Sequence, residues 1–389
     1  MTDLDTRKQI ARLLLSEGTT PLDLELAPIV EGEGELLADL GIPWPQGLGP
    51  TPTPIDPPPN PGDPLPQADV VVITWTVAEL NALADVLTPG YPRTRWYRYN
   101  RNFEDQYLDK IREGAPARAA RRLGSWFPTE IGNQKVICFK SELHLNQDGV
   151  KTGDGTATLP VKDLFRQIIE ETGASVVLTI GTSGGVKLEH DLGDVVVTRG
   201  AKFRLQSEFK NETFAHTAYK SEWTIPTQHF AKAEELMADF ADNLVEPAFG
   251  PPTKRYPFDG PLLESEPPNT PEIILDDGED MPEYHPVLTT DFFEFGTSTN
   301  NLFEEGSAVE MGDAVLGLLC EELPEPPRWA IVRNLSDPMI NGDLPRERRG
   351  KLDMQAHWAV WYYEAYGYWT SVMGALATWG IIAGLADEG

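Results

Sequence analysis

Short apolar, β-branched runs alternate along this chain with longer amphipathic ones, and that alternation predicts an α/β fold on a mixed central sheet. Two further observations agree. The chain has 389 residues, 40% of them hydrophobic, enough to bury a sizeable core in one large domain or two ordinary ones. Four of the apolar runs end in unusual glycine-rich or polar segments, and strand ends are where ligands bind in such sheets.

Residues 1–67 read as separate from the rest. Asp5–Glu17 predicts a short helix with Ile10, Leu13 and Leu14 on one face. Pro43–Pro66 holds eleven prolines, a composition that cannot build a packed core and reads as an extended linker. A domain spanning 68–389 follows. It opens with ADVVVITWT, a buried strand, and AELNALADVL, a helix. Tyr91–Arg122, rich in Arg and Tyr, interrupts the pattern and belongs to an insertion over about 91–130. Gln134–Lys140 is a strand. Leu159–Thr172 is an amphipathic helix with Val161, Leu164, Phe165, Ile168 and Ile169 on one face. Ala174–Ile180 and Asp194–Thr198 are strands, and Thr227–Leu244 is a helix. Glu246–Pro286, acidic and proline-rich, reads as an inserted loop. Val287–Thr290 is a strand, Val309–Glu322 a strand end running into a helix, Trp329–Leu335 a strand, and Lys351 begins the last helix. Within it, Gly367–Ala386 carries no charge and is long enough to span a bilayer. Its Thr and Gly punctuation, the helical spacing of Val372, Leu376, Trp379 and Ile382, and the acidic residues after it favour a core helix instead.

The formal net charge of −29 argues against a nucleic-acid binder and against adhesion to anionic membranes. An anionic ligand would need a local basic pocket. The two cysteines, Cys138 and Cys320, are expected to be buried free thiols rather than a disulfide, a pattern suited to a reducing cytoplasm. No signal-peptide layout opens the chain, and no His/Cys grouping has zinc-ligand spacing, so neither a metal nor a cofactor is expected.

The unusual strand ends are Thr74-Trp75-Thr76-Val77-Ala78-Glu79, Gly181-Thr182-Ser183-Gly184-Gly185, Asp291-Phe292-Phe293-Glu294-Phe295-Gly296 and Arg333-Asn334-Leu335-Ser336-Asp337. Each has an ordinary explanation: Glu79 complements a helix dipole, the glycines make a tight loop, Asp337-Pro338 makes a turn, and the phenylalanines are core. Their joint order is more informative. TIGTSGGVKLEHDLGDVVVTRGAKF resembles the Gly-Ser/Thr-x-Gly-Gly and Gly-Asp-Val-Val-Val segment of the nucleoside phosphorylase and nucleosidase superfamily. SAVEMGDAV resembles its Val-Glu-Met-Glu segment, and AIVRNLSD its Val-Arg-x-Ile-Ser-Asp segment. ADVVVITWTVAEL is similar to the opening strand and Glu of methylthioadenosine/adenosylhomocysteine nucleosidases. The likeness runs over roughly 68–386, apart from the insertions.

The resemblance implies a three-layer sandwich of nucleoside phosphorylase type, and cleavage of the bond between a purine base and its sugar. By position it makes Asp337 the acid that protonates the departing base and Ser336 the group that orients it. Glu79 becomes the base that activates water. Arg333 and Thr182 hold that water, or phosphate in a phosphorylase. Phe293 stacks on the base, and Gly181 and Gly184 admit close backbone approach. Glu310 and Met311 fall on the sugar-binding segment, but the second Glu of that motif is here Gly312. Glu310 or Asp313 would have to substitute, or the chain senses nucleotides without cleaving them. The Gly-Asp-Pro-x-Arg phosphate motif of classical phosphorylases is missing after the first strand, which favours hydrolysis over phosphate-dependent cleavage. The resemblance also implies a homo-oligomer, and a nucleoside or an AMP-type nucleotide as substrate. Relatives with added domains act in bacterial anti-phage defence. Arg93, Arg95, Arg98, Arg101, Lys110, Arg112, Arg118, Arg121 and Arg122 are candidates to grip nucleotide phosphates, with a salt-bridged surface as the alternative. His144, just after a strand, is a further residue that could face the site.

Overall fold

The computed structural model describes residues 40–243, 270–276, 285–344 and 354–387. The expected helix at Asp5–Glu17 lies outside them. The strands are β1 (Thr51–Pro52), β2 (Val70–Thr74), β3 (Tyr97–Tyr99), β4 (Gly124–Ile131), β5 (Gln134–Ser141), β6 (Val176–Gly185), β7 (Val195–Thr198), β8 (Gly200–Arg204), β9 (Ala218–Lys220), β10 (Ile273–Asp276), β11 (Val287–Thr290), β12 (Ala308–Glu310) and β13 (Arg328–Asp337). The α-helices are α1 (Val77–Leu87), α2 (Pro116–Ala120), α3 (Pro160–Thr172), α4 (Ala231–Ala241), α5 (Ala314–Glu322) and α6 (Met354–Asp387).

One mixed sheet runs in the order β1-β4-β5-β2-β6-β12-β11-β8-β9, and β13 lies beside β6 with β7 and then β10 beyond it. β6 lies parallel to β2 and β13 and antiparallel to β12, which makes it the central strand of the site. The sequence of β2 shows why the sheet is buried on both faces. Val70 and Val72 point into a core built with α1, α4 and α6, whereas Val71 and Ile73 point into a second core with α3 and α5. A run that is apolar at every position suits a strand covered on both sides. α3 starts with Pro160 in its first turn and ends at Gly173, whose φ of 60° closes the helix as few other residues can.

Several sequence expectations change in three dimensions. The glycine-rich segment Gly181–Gly185 is the second half of β6 and not a loop, because β13 and then β12 offer it hydrogen-bonding partners. The 246–286 segment is not all loop: β10 pairs in parallel with β7. The 91–130 insertion contributes β3 and β4 to the sheet edge. The proline tract is extended, yet it is docked. Thr51 and Pro52 pair with β4, Leu65 is buried, Trp44 meets Trp379 with ring centroids 5.0 Å apart, and the Trp379 indole N–H donates to the Leu48 carbonyl at 2.7 Å. An edge position suits such a segment, since proline has no N–H to give to a second neighbour.

By length and composition Met354–Ala386 could cross a membrane, but most of this stretch is buried inside the fold. α6 packs on α1, α4, β6 and β13. Cys138 and Cys320 are buried free thiols, and burial raises the pKa of each.

Candidate active site

At the carboxyl ends of β2, β6 and β13 a cavity is lined by Glu79, Thr182, Ser183, Gly184, Arg333, Ser336 and Asp337. Phe293 and Glu294 join them from the turn after β11, and Glu310 and Met311 from the end of β12. The free space is about 60 Å³. A cavity of about 150 Å³ holds a benzene ring, so a nucleoside enters only when a wall side chain moves.

Glu79 owes its position to the local sequence. Thr76 is the N-cap of α1, and Glu79, three residues on, completes a capping box. Its Oε2 accepts from Thr74 Oγ1 at 2.8 Å, Trp75 N at 3.0 Å and Thr76 N at 2.8 Å. That half of the carboxylate serves the helix, as the ordinary explanation requires. The other half serves the cavity: Oε1 accepts from both N and Oγ1 of Thr182, each at 2.9 Å.

Arg333 lies across from it in a wholly buried setting. Its Nε and Nη2 grip the two oxygens of Asp313 at 2.7 and 2.6 Å, Nη1 donates to the Thr182 carbonyl at 3.1 Å, and Nη2 lies 3.2 Å from Glu310. The Trp75 indole covers the guanidinium at 5.0 Å. Asp313 is thus the counterion of Arg333 and does not line the cavity, so the expectation that it substitutes in sugar binding is corrected. Glu310 does line it. Burial, and Asp313 beside it, raise the Glu310 pKa despite Arg333, and Thr289 and the Asp313 N–H bond its Oε1. At Gly312 a side chain would meet the Trp75 ring at 3.1 Å, so the indole takes the space a larger residue would need.

Gly181 does not line the cavity but allows it to exist. A Cβ there would stand 2.3 Å from Arg333 Nη1 and 2.7 Å from Glu79 Oε1. Gly181→Ala should therefore push the two apart at a cost of about 1–3 kcal/mol in stability, together with loss of activity; chemical denaturation and assay of the same preparation check both.

Asp337 is placed by a bulge. The register of β13 against β6 shifts between Leu335 and Asp337, leaving Ser336 as the extra residue and turning Asp337 toward Gly184, where a Cβ would sit 3.0 Å from Asp337 Oδ2. Ser336 Oγ donates to Asp337 Oδ1 at 2.8 Å. Burial pushes the Asp337 pKa up to about 7, overcoming the lowering effect of that bond. Two carboxyl groups with different surroundings therefore share one cavity: among the described residues Glu79 is held by five hydrogen bonds and Asp337 by one.

Trp75, Thr76, His144, Val309 and Tyr363 complete the wall. Tyr363 comes from α6, and no local sequence signal marks it. The basic residues of 91–122 do not line the cavity. Arg101 pairs with Glu171 at 3.0 Å, Lys110 with Asp163 at 2.6 Å and Arg112 with Glu208 at 3.3 Å. Arg121 pairs with Glu104 and Arg122 with Glu142, while Arg118 donates to the Leu108 and Ile111 carbonyls. The phosphate-gripping role expected of this cluster is corrected accordingly: Arg101, Lys110, Arg112 and Arg122 tie the insertion to the rest of the fold, and Arg118 and Arg121 bond within it.

No family model and no curated protein matches the chain. Solved structures similar to it include 5′-methylthioadenosine/S-adenosylhomocysteine nucleosidase from Neisseria meningitidis in complex with methylthio-immucillin-A, at 14% identity and TM-score 0.41, covering 81% of this chain and 98% of that one. Futalosine hydrolase of Helicobacter pylori matches at 12% identity and TM-score 0.43, covering 82% and 97%. The Helicobacter pylori 5′-methylthioadenosine/S-adenosylhomocysteine nucleosidase with butyl-thio-DADMe-Immucillin-A matches at 12% and 0.42, covering 83% and 99%.

Proposed function

We propose that this protein hydrolyses the N-glycosidic bond of a purine nucleoside to free base and sugar. The observation that carries the reading is the pair of carboxyl groups in unlike environments around one cavity. Asp337, with its pKa near 7, still holds a proton in much of the population at neutral pH and can give it to the departing base. A protonated or neutral purine leaves far more readily than an anion. Phe293, 7% exposed on the cavity wall, offers an apolar surface to the base.

As the bond breaks, its electron pair goes to the base and positive charge develops on the anomeric carbon. Glu79 and the buried acidic surroundings stabilise that charge. Water attacks from the side of β6 and gives its proton to Glu79 Oε1, replacing the Thr182 hydroxyl as donor to that oxygen. Arg333, clamped by Asp313, fixes the Thr182 carbonyl and so the geometry of that water site.

Charge supports water over phosphate as the nucleophile. Arg333 is the one cation among the lining residues, and Asp313 and Glu310 already answer its charge. Chromatographic assay of free base from adenosine, inosine and methylthioadenosine, each with and without phosphate, tests the proposal. Release at equal rates in both buffers is expected. Strict dependence on phosphate would make the enzyme a phosphorylase, and absence of release from every nucleoside would overturn the reading.

A further inference from the structure

The strand ends around the cavity stand in a set order across the sheet. β13 brings Asp337, β6 brings Thr182 and Gly184, β2 leads to Glu79, and β5 leads to His144. β5 lies three strands from β13, about 14 Å at ~4.8 Å per strand. If the base lies at Asp337 and the anomeric carbon near Glu79, as the nucleosidase reading on which this inference rests requires, the sugar hydroxyls face the His144 end.

His144 is 3% exposed and lines the cavity. Its backbone N–H donates to Asp148 at 2.7 Å, but among the described residues no hydrogen-bond partner meets its imidazole. The ring nitrogens are not sealed off but stay accessible from the cavity, where only its contents can meet them. A bare polar ring on the wall of a cavity points to a ligand. Burial and the Lys140 ammonium push its pKa well below the ordinary histidine range, so the ring is neutral. A neutral imidazole offers one donor and one acceptor, which match a hydroxyl and supply no charge for a phosphate.

The surrounding charges agree. Arg333 is the one cation among the lining residues, and Asp313 already clamps it, so no uncommitted positive charge among the described residues faces the cavity to meet a phosphate. Lys140 is 1% exposed and its ammonium is held by Glu142 at 2.6 Å, a carboxylate also bound by Arg122. We propose that the substrate is an unphosphorylated nucleoside, and that His144 is a specificity residue that exchanges hydrogen bonds with one of its sugar hydroxyls.

The experiment is calorimetric binding to the Asp337→Asn protein, which keeps the nucleoside intact. The ligands are adenosine, its 2′-, 3′- and 5′-deoxy analogues, and AMP. AMP is expected to bind at least ~30-fold more weakly than adenosine. One deoxy analogue should lose ~5–10-fold, the size of one neutral hydrogen bond, and so identify the hydroxyl. That loss should vanish when His144→Leu is added and persist in part with His144→Gln. AMP binding as tightly as adenosine, indifference to every hydroxyl, a loss that survives His144→Leu, or no binding of any ligand would each overturn the proposal. Should the Leu variant fail to fold, the ligand series with His144 in place and the Gln variant still decide. Base release by the unmodified protein, measured separately, reports on the nucleosidase reading. Hydroxyl-selective binding without release would sink that reading alone, and release with no hydroxyl preference would sink the role of His144 alone.

Discussion

Replacing Asp337 by Asn should slow base release by about 10²–10⁴-fold, the usual contribution of a positioned general acid, with substrate affinity little changed. The amide keeps the shape of the carboxyl group but has no acidic proton to give. On the proposed mechanism Asp337 gives up a proton, so its limb of the pH–rate profile should fall tenfold per pH unit above about pH 7. The variant should lack that limb. Stability supplies an independent check. An unfolded aspartate loses its proton near pH 4, whereas the folded one keeps it until about pH 7. Across that window the folded state binds the extra proton, so stability declines as pH rises and levels off above it. Asp337→Asn should remove Asp337's share of the decline, leaving the part due to Asp148, Asp194 and Glu310, and should leave the protein at least as stable as the parent at pH 8, as measured by urea unfolding at pH 5 and pH 8. A variant that loses both activity and fold would show that Asp337 is structural.

Asp313→Ala should give the largest loss of stability among the site residues. It strips two hydrogen bonds of 2.6 and 2.7 Å from a guanidinium that is 3% exposed as a residue. Removing one partner of a buried ion pair leaves the other charge without compensation, and about 3 kcal/mol is expected here. Glu310, 3.2 Å from Arg333, keeps the cost toward the lower end of what such changes produce. Activity should fall with it, because Arg333 also positions Thr182. Urea unfolding gives the first quantity and the base-release assay the second. A change below ~1 kcal/mol would mean that water or Glu310 meets the freed charge, and that the Asp313 pair does not hold the site together.

These expectations draw unequally on sequence and on fold. The residues at the strand ends could be read from the chain because α/β sheets present ligands with the ends of their strands. Glu79, Thr182, Gly184, Phe293, Glu310, Met311, Arg333, Ser336 and Asp337 do meet around one cavity. The sequence does not reveal what each carboxylate faces. Asp313 and Glu310 are three residues apart, and only the turn between β12 and α5 decides that one clamps Arg333 while the other reaches the cavity. The arginines of 91–122 look alike in sequence, yet the folded surface gives Arg101, Arg112 and Arg122 different carboxylate partners.

By itself the sequence determined the type of most strands and helices, the apolar faces that pack them, the helix cap that orients Glu79, and the free state of two buried thiols in a chain with net charge −29. Those properties depend on side-chain periodicity and on residues a few positions apart. The tertiary structure alone decided that the glycine-rich segment is a strand, that the proline tract lies along the sheet edge, and that Trp75 covers Arg333. It also decided that His144 faces the cavity without a partner. Each of these depends on which groups from distant parts of the chain arrive together, and on whether burial leaves a charge or a polar atom paired. That is a property of the closed fold and not of local sequence.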